Sequence, residues 1–314
     1  MTTTVTATKT RRPLVALFAG LVLPGLGQVY NGEPARGGAL LFSVAMLLPG
    51  AAWLALHVPR PLLSLVIVAG VVASLSLYVY AVKDAYRTAA RLGAGFSPGP
   101  WNRGYVYFVL LVFGHLFVLG PLANHAKGHL VETFKVPSAS MQPTIMPGDR
   151  FFADKRVGRR SGMRLRRGAI AVFVYPNDRT TMYVKRIIGL PGDRVDVDGT
   201  SVKVNGVEIR QEEIHDFGDP RLNRLLDDHQ AFRESGEQGS YQVLWRKDGK
   251  REHHSTVVPN GQVFVLGDNR DAAQDSRSFG TLPLADVTAV ARQVWFSADA
   301  HDGVRLRRVG KLLD

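Results

Sequence analysis

Four apolar stretches crowd the first 123 residues, and they constrain this chain more than anything else in it. The first runs from Pro13 to about Tyr30 and is interrupted by Pro24–Gly25. The others are Gly37 to His57, Pro61 to Val82 and Gly104 to Ala123. A helix needs about 20 apolar residues to cross ~30 Å of hydrocarbon, and the last three approach that length. Each is expected to span a bilayer. The first is short and kinked, so it is expected to re-enter or lie at the interface. The polar, then basic, start MTTTVTATKTRRP leads into an apolar run as a signal peptide would. The Pro24–Gly25 break, the lack of an A-x-A site and the later apolar runs argue against cleavage there.

Lys and Arg placement sets orientation. Lys83, Arg87, Arg91 and Arg103 lie between the third and fourth stretches, so that segment is expected on the cytoplasmic side. Arg11, Arg12 and Arg36 read the same way, and the fourth stretch then runs outward. The layout expected is a cytoplasmic tail over 1–12, a multi-span membrane region over 13–123 with its cytoplasmic loop near 83–103, and an extracytoplasmic domain over 124–314. The formal net charge of +12 suits an anionic partner. With several spans present, that partner is expected to be anionic lipid. No zinc-finger spacing or other nucleic-acid signature is present, so nucleic acid is not expected. The absence of cysteine excludes disulfides, thiolate catalysis and Cys-based metal sites.

From residue 124 the texture changes to short alternating runs such as RFFADKR, AIAVFVYP, MYVKRIIGL, DRVDVDG, SVKVNGVEI, YQVLWRK, QVFVLGD and AVARQVWFS. These are strand signals, and Val204-Asn205-Gly206-Val207 is a hairpin turn. A mainly antiparallel β domain is expected, as a barrel or two packed sheets. The polar stretch Gln211 to Gly239 reads as a surface insertion. Val304 to Asp314 is basic and reads as a frayed tail.

Three constellations could carry chemistry. Pro137 and Pro143 bracket Ser138 and Ser140, and proline gives a stiff, non-helical mount suited to a nucleophile. A plain Ser/Pro turn would look the same. On a strand through Met182–Ile188, Tyr183, Lys185 and Ile187 share one face. A lysine among apolar neighbours is desolvated, which lowers its pKa and lets the neutral amine act as general base toward a hydroxyl. An edge lysine snorkelling to water is the competing reading. Gly267 to Arg277 alternates acids and bases, as an ion-paired loop or an ordinary charged surface loop would. Its acids fit no EF-hand spacing, so neither metal nor cofactor is expected.

The order of these clusters resembles bacterial type I signal peptidases. The likeness runs through PSASMQPTI, GDRFFADK, RRGAIAVF…YVKRIIGLPGD and GDNRD…DSRSFG, covering most of residues 130–297. It implies a signal-peptidase type of β domain behind N-terminal transmembrane helices. It implies a serine endopeptidase that cuts signal peptides from exported preproteins after small residues of the Ala-x-Ala type. By that resemblance Ser140 is the nucleophile and Lys185 the general base, a variant of triad logic without histidine. Ser138 and the Ser140 N–H would form the oxyanion hole. Val136, Pro137, Met141, Tyr183 and Val184 match substrate-binding positions, and Arg186, Asp268, Asp275 and Arg277 match structural positions beside the site. Phe134 belongs either to an apolar face that dips toward lipid or to the core. Expected partners are signal peptides, membrane lipids and, as a further candidate, the secretion translocon, at the bacterial cytoplasmic membrane.

One position departs from the family. A serine usually hydrogen-bonds the lysine where this chain has Ala273, so Lys185 needs another orienting group, and Ser276 is a nearby hydroxyl. The departure keeps an alternative open: a catalytically impaired, peptidase-like membrane sensor or assembly factor. A cytoplasmic self-cleaving repressor shares Ser-Lys chemistry, but the spans argue against it. His115 is expected to face other helices. PGLGQVYNGEPARGG resembles a small motif at the head of various bacterial membrane proteins. It reads equally as an anchor, a partner-binding helix pair or topological ballast.

Overall fold

The computed structural model describes residues 9–94, 96–158, 165–236, 239–250, 253–299 and 303–313. Residues up to Leu130 form one compact unit and those from Val131 a second.

The first unit is helical: α1 (Pro13–Val22), α2 (Leu26–Tyr30), α3 (Pro34–Ala55), α4 (Leu63–Leu92), α5 (Gly104–Phe113) and α6 (Gly120–His129). A π-helical turn over Gly114–Leu119 makes α5 and α6 one continuous rod. Three helical segments, Pro34–Ala55, Arg60–Leu92 and Gly104–His125, are long and apolar enough to cross a membrane. At 1.5 Å per residue, the 22 residues of α3 reach ~33 Å. The 10 residues of α1 reach only ~15 Å, because Pro24 and Gly25 stop it. Gly25 has φ +91°, and a Cβ there would meet the Gly37 carbonyl oxygen at 2.0 Å, so only glycine permits this approach of α2 to α3.

The motif that left three readings open ties α2 to α4. Gln28 Nε2 donates to the Ala81 carbonyl at 2.8 Å and to Asp84 Oδ2 at 3.0 Å, and Asn31 Nδ2 donates to the Ala85 carbonyl at 2.8 Å. Arg36 closes on Asp84 at 2.8 Å. Polar side chains within spans persist when paired with one another or with carbonyls. Of the tail read over 1–12, residues 1–8 lie outside those described. Its end docks: Arg11 is buried, its guanidinium 4.3 Å from the Tyr30 ring and 3.8 Å from the Phe96 ring. His115 does not face other helices. It is exposed, with Nδ1 3.0 Å from the Leu111 carbonyl of its own helix. The boundary expected at 123/124 falls later, because α6 runs on to His129.

The second unit is antiparallel β throughout its named pairings. Its strands are β1 (Val131–Lys135), β2 (Asp149–Asp154), β3 (Ile170–Val174), β4 (Met182–Gly189), β5 (Arg194–Asp198), β6 (Ser201–Val204), β7 (Val207–Glu208) and β8 (Arg210–Ile214), then β9 (His229–Gly236), β10 (Gly239–Arg246), β11 (His254–Val257), β12 (Gln262–Leu266), β13 (Leu282–Pro283), β14 (Val287–Asp299) and β15 (Gly303–Val304). The large sheet has the order β1-β2-β14-β3-β4-β12-β13, with β15 beside β14. Two smaller sheets have the orders β10-β9-β8 and β11-β5-β6-β7. The Asn205–Gly206 turn joins β6 to β7 with φ +54° and +79°, the doubly positive pattern that Asn-Gly favours.

Two expectations are corrected. The stretch read as a surface insertion forms most of the second sheet, and Ile214, Ala231 and Glu234 within it are buried. Its polar texture misleads because Glu234 is neutralised inside the fold by a distant arginine. Residues 237–238 of that stretch lie outside those described. The end read as frayed from Val304 is pinned. Arg305 and Arg308 are buried on Asp149, and Leu313 packs in the core with Val136 and Met141. Asp314 lies outside the described residues.

Candidate active site

The connection from β1 to β2 carries the serines. Its neck is closed by Val136 N–H on the Asp149 carbonyl at 3.0 Å and Gly148 N–H on the Val136 carbonyl at 2.8 Å. Inside, Ile145 N–H turns back to the Met141 carbonyl at 2.8 Å. Pro137, Pro143 and Pro147 remove three N–H donors, so this segment cannot join a ladder and folds as turns. Met141 and Ile145 are fully buried and hold it to the core, each such burial stabilising by about 1.5–3 kcal/mol. Ser140 sits between these anchors and keeps 8% of its surface exposed. Its carbonyl accepts Asn269 N–H at 3.1 Å, which joins the turn to the loop after β12.

Lys185 reaches the serine from β4. Its Nζ lies 2.9 Å from Ser140 Oγ and donates also to the Val184 carbonyl at 3.0 Å. The Tyr183 ring, on the same strand face, lies 5.2 Å from Nζ. Burial lowers the amine from 10.5 to about 8, against the opposing charges of Asp275 and Asp268. Ser138 Oγ lies 3.2 Å from Ser140 Oγ. Three polar groups therefore converge, Ser140 and Lys185 buried and Ser138 exposed beside them, and a neutral amine there is positioned to accept a hydroxyl proton.

Ion pairs frame the site. Arg186 grips Asp268 with two bonds, Nε–Oδ1 at 2.8 Å and Nη2–Oδ2 at 2.7 Å, both side chains buried. Arg277 grips Asp275 at 3.0 and 2.8 Å, and Asp275 Oδ2 also accepts Gly267 N–H at 3.0 Å. A third pair escaped the sequence reading: Arg270 Nη2 to Glu234 Oε2 at 2.5 Å, with neither side chain exposed.

Ala273 packs against the backbone of Gly267. A Cβ on Gly267 would lie 2.3 Å from Ala273 Cβ and 2.7 Å from the Ser140 carbonyl oxygen. Ser276 does not take over the orientation of Lys185: its Oγ accepts Val265 N–H at 2.9 Å, and the amine makes its bonds elsewhere. The Val184 carbonyl and Ser140 itself are the bonded partners of the amine.

The five residues matched to substrate binding divide. Val136, Met141 and Val184 belong to one apolar cluster, joined by Phe134, whose ring stacks 5.8 Å from that of Phe151. Tyr183 belongs to another, stacked on Tyr175 at 4.2 Å, with its hydroxyl donating to Gln274 Oε1 at 3.0 Å. Pro137 is exposed at the rim.

Comparison with known proteins gives the family of the chain. Residues 108–296 match the family model described as signal peptidase, peptidase S26. Signal peptidase I of Rickettsia prowazekii is 32% identical over 197 residues, covering 54% of this chain and 73% of that protein. Signal peptidase I of Buchnera aphidicola is 26% identical over 239 residues, covering 59% and 76%. A crystal structure of a signal peptidase I from Enterococcus faecalis is 27% identical, covers 41% of this chain and 98% of that one, and superposes with a TM-score of 0.28. The chain belongs to the signal peptidase family S26 and is a peptidase with N-terminal apolar helices.

Proposed function

We propose that this chain is a membrane-bound serine endopeptidase that removes N-terminal signal peptides from exported preproteins, cutting after small residues of the Ala-x-Ala type. The observation that carries this reading is the 2.9 Å contact between Ser140 Oγ and a buried Lys185 amine lowered to about 8.

Neutral Lys185 Nζ takes the proton of Ser140 Oγ as the oxygen attacks the scissile carbonyl. The developing oxyanion would be met by the Ser138 hydroxyl and the Ser140 N–H. Collapse of the tetrahedral species moves the proton from Lys185 to the departing amine of the mature protein. Water, deprotonated by the same amine, then releases the signal peptide from Ser140. Arg186, Asp268, Asp275 and Arg277 shape the site without touching the reacting atoms. In this reading the small side chains of the substrate would sit beside Val136, Met141 and Val184, and the substrate would lie extended near Pro137 and Tyr183. Three spans hold the peptidase domain on the extracytoplasmic side, with the C-terminal end of α4, which bears Lys83, Arg87 and Arg91, inside. Anionic lipids would be its surroundings and the secretion translocon a neighbour. The Val184 carbonyl supports the active reading over the impaired one, because it supplies the acceptor that Ala273 lacks.

The test is cleavage of a preprotein with an Ala-x-Ala site by detergent-solubilised wild type and Ser140→Ala. Cleavage after the second alanine by wild type alone is expected. No cleavage by folded wild type beside an active control would move the assignment to the impaired sensor.

A further inference from the structure

The C-terminal segment 303–313 lies along β14 by backbone bonds. Arg305 N–H meets the Ser297 carbonyl at 2.9 Å, Gly310 N–H meets Val294 at 2.8 Å and Leu313 N–H meets Arg292 at 2.9 Å. From this rail three cations reach the turn that follows Ser140. Lys311 Nζ donates to the Pro143 carbonyl at 3.3 Å, Arg308 Nη2 donates to the Thr144 carbonyl at 2.9 Å, and an Arg305 N–H donates to the Pro147 carbonyl. Asp149, at the end of the same turn, holds Arg308 through Nε at 3.0 Å and accepts Ser297 Oγ at 2.6 Å.

We propose that this segment is a clamp that sets the position of Ser140, with Arg308 and Lys311 as positioning residues for the nucleophile. The proposal rests on Ser140 being that nucleophile. The physical case starts from the prolines. A turn with few N–H groups cannot order its own carbonyls in a ladder, yet buried carbonyls need partners. Here the clamp provides them. The Ile145-to-Met141 bond makes residues 141–145 one tight unit, so a shift at Pro143 or Thr144 moves the residue before it, Ser140. The far side of that unit is held by Asn269 N–H on the Ser140 carbonyl and by Arg186, whose Nη2 lies 3.5 Å from Thr144 Oγ1. Arg186 neighbours Lys185 on β4. The serine and its base are thus positioned against each other through two opposed grips, and the clamp is one of them. Lys311 is held at about 8 by burial first and the Arg308 charge second, with the carboxylates of Asp149 and Asp268 opposing.

The experiment measures kcat and KM for a preprotein peptide with the full chain in detergent, expressed per folded molecule. The variants are Lys311→Met, Arg308→Lys and, as control, Arg307→Gln, which removes an exposed cation of the same segment. Lys311→Met is expected to lower kcat about tenfold with KM little changed, a fraction of the ~100-fold that a 1 Å misplacement can cost. The pH at which its rate levels should stay that of wild type, because Lys185 still titrates. Arg308→Lys keeps a cation for Asp149 but loses the fork that also reaches Thr144, and should fall similarly while staying folded. Arg307→Gln should match wild type. Should Lys311→Met fold poorly, Lys311→Gln is read by the same criterion. Wild-type kcat in the folded Lys311 and Arg308 variants overturns the clamp, as does a loss that tracks only the folded fraction. If Ser140→Ala retains activity, the nucleophile assignment fails instead, so the two failures are distinguishable.

Discussion

Replacing Lys185 with methionine should abolish cleavage and yet make the protein harder to unfold at neutral pH. The buried amine is lowered from 10.5 to about 8, a shift that corresponds to about 3 kcal/mol at ~1.4 kcal/mol per pH unit. The folded pKa lies below the unfolded one, so between about pH 8 and about 10.5 the unfolded chain binds more protons. Stability of the wild type therefore rises with pH across that window, and below about 8 the full cost of the buried charge is present. Lys185→Met removes the cost but also the bonds to Ser140 Oγ and the Val184 carbonyl, each about 1 kcal/mol. The net at pH 7 is a gain of about 1 kcal/mol, or a Tm higher by roughly 2–4 °C for a domain of this size. Above about pH 10.5 lysine is neutral in both states, only the lost bonds remain, and the variant should be the less stable. Thermal unfolding of the full chain in detergent at pH 7 and near pH 10.5 reads both arms. A variant less stable than wild type at pH 7, with no crossing on going alkaline, would refute the claim that this lysine is held neutral-prone by burial.

The same shift predicts a rate that climbs about tenfold per pH unit from 6 towards 8 and then levels, since roughly one-tenth of the amine is neutral at pH 7 when its pKa is about 8. A flat profile in initial-rate assays contradicts a titrating base. Ser138→Ala should cut kcat about 100-fold with KM little changed, the cost of one oxyanion donor; an equal rise in KM would mark Ser138 as a ground-state contact. Glu234→Gln leaves the Arg270 guanidinium buried without its counter-charge, and breaking such a pair costs about 3–5 kcal/mol. Denaturant unfolding that finds less than about 1 kcal/mol would mean that the second sheet tolerates the loss.

What the sequence disclosed depended on the distance over which each signal acts. Spans and strands are legible because burial writes a local period into the chain: the 22 residues of α3 carry their own hydrocarbon length, and Tyr183, Lys185 and Ile187 alternate on one strand. The serine and lysine were legible as residue types on suitable mounts, and as a pair by resemblance to a family. Their 2.9 Å contact, across 45 positions, has no local trace. Charged residues fared worst. Glu234 looks like a solvated residue because its partner Arg270 is 36 positions away, and Arg308 looks like a frayed end because Asp149 is 159 away. A charge in sequence carries the sign of its partner but not the address. The polar stretch near 211–239 and the basic end after Val304 therefore each conceal buried, paired charges, Glu234 in the one and Arg305 and Arg308 in the other.

Ala273 illustrates the reverse limit. By family pattern it marks a lost hydroxyl, and from residue types alone that loss leaves the lysine unoriented. The backbone of β4 supplies what the side chain lacks, because the Val184 carbonyl, one residue away, points at the amine. Every strand carries such an acceptor whatever its side chains, so the substitution is silent at the level of residue types. The weight of orienting Lys185 then falls on Ser140 and on whatever holds Ser140 in place. That dependence makes the clamp from the C-terminal segment matter more in this chain than it would in one with a serine at 273. Ala273→Ser should for that reason lessen the kcat loss of Lys311→Met, and an unchanged loss in the double variant would separate the two devices.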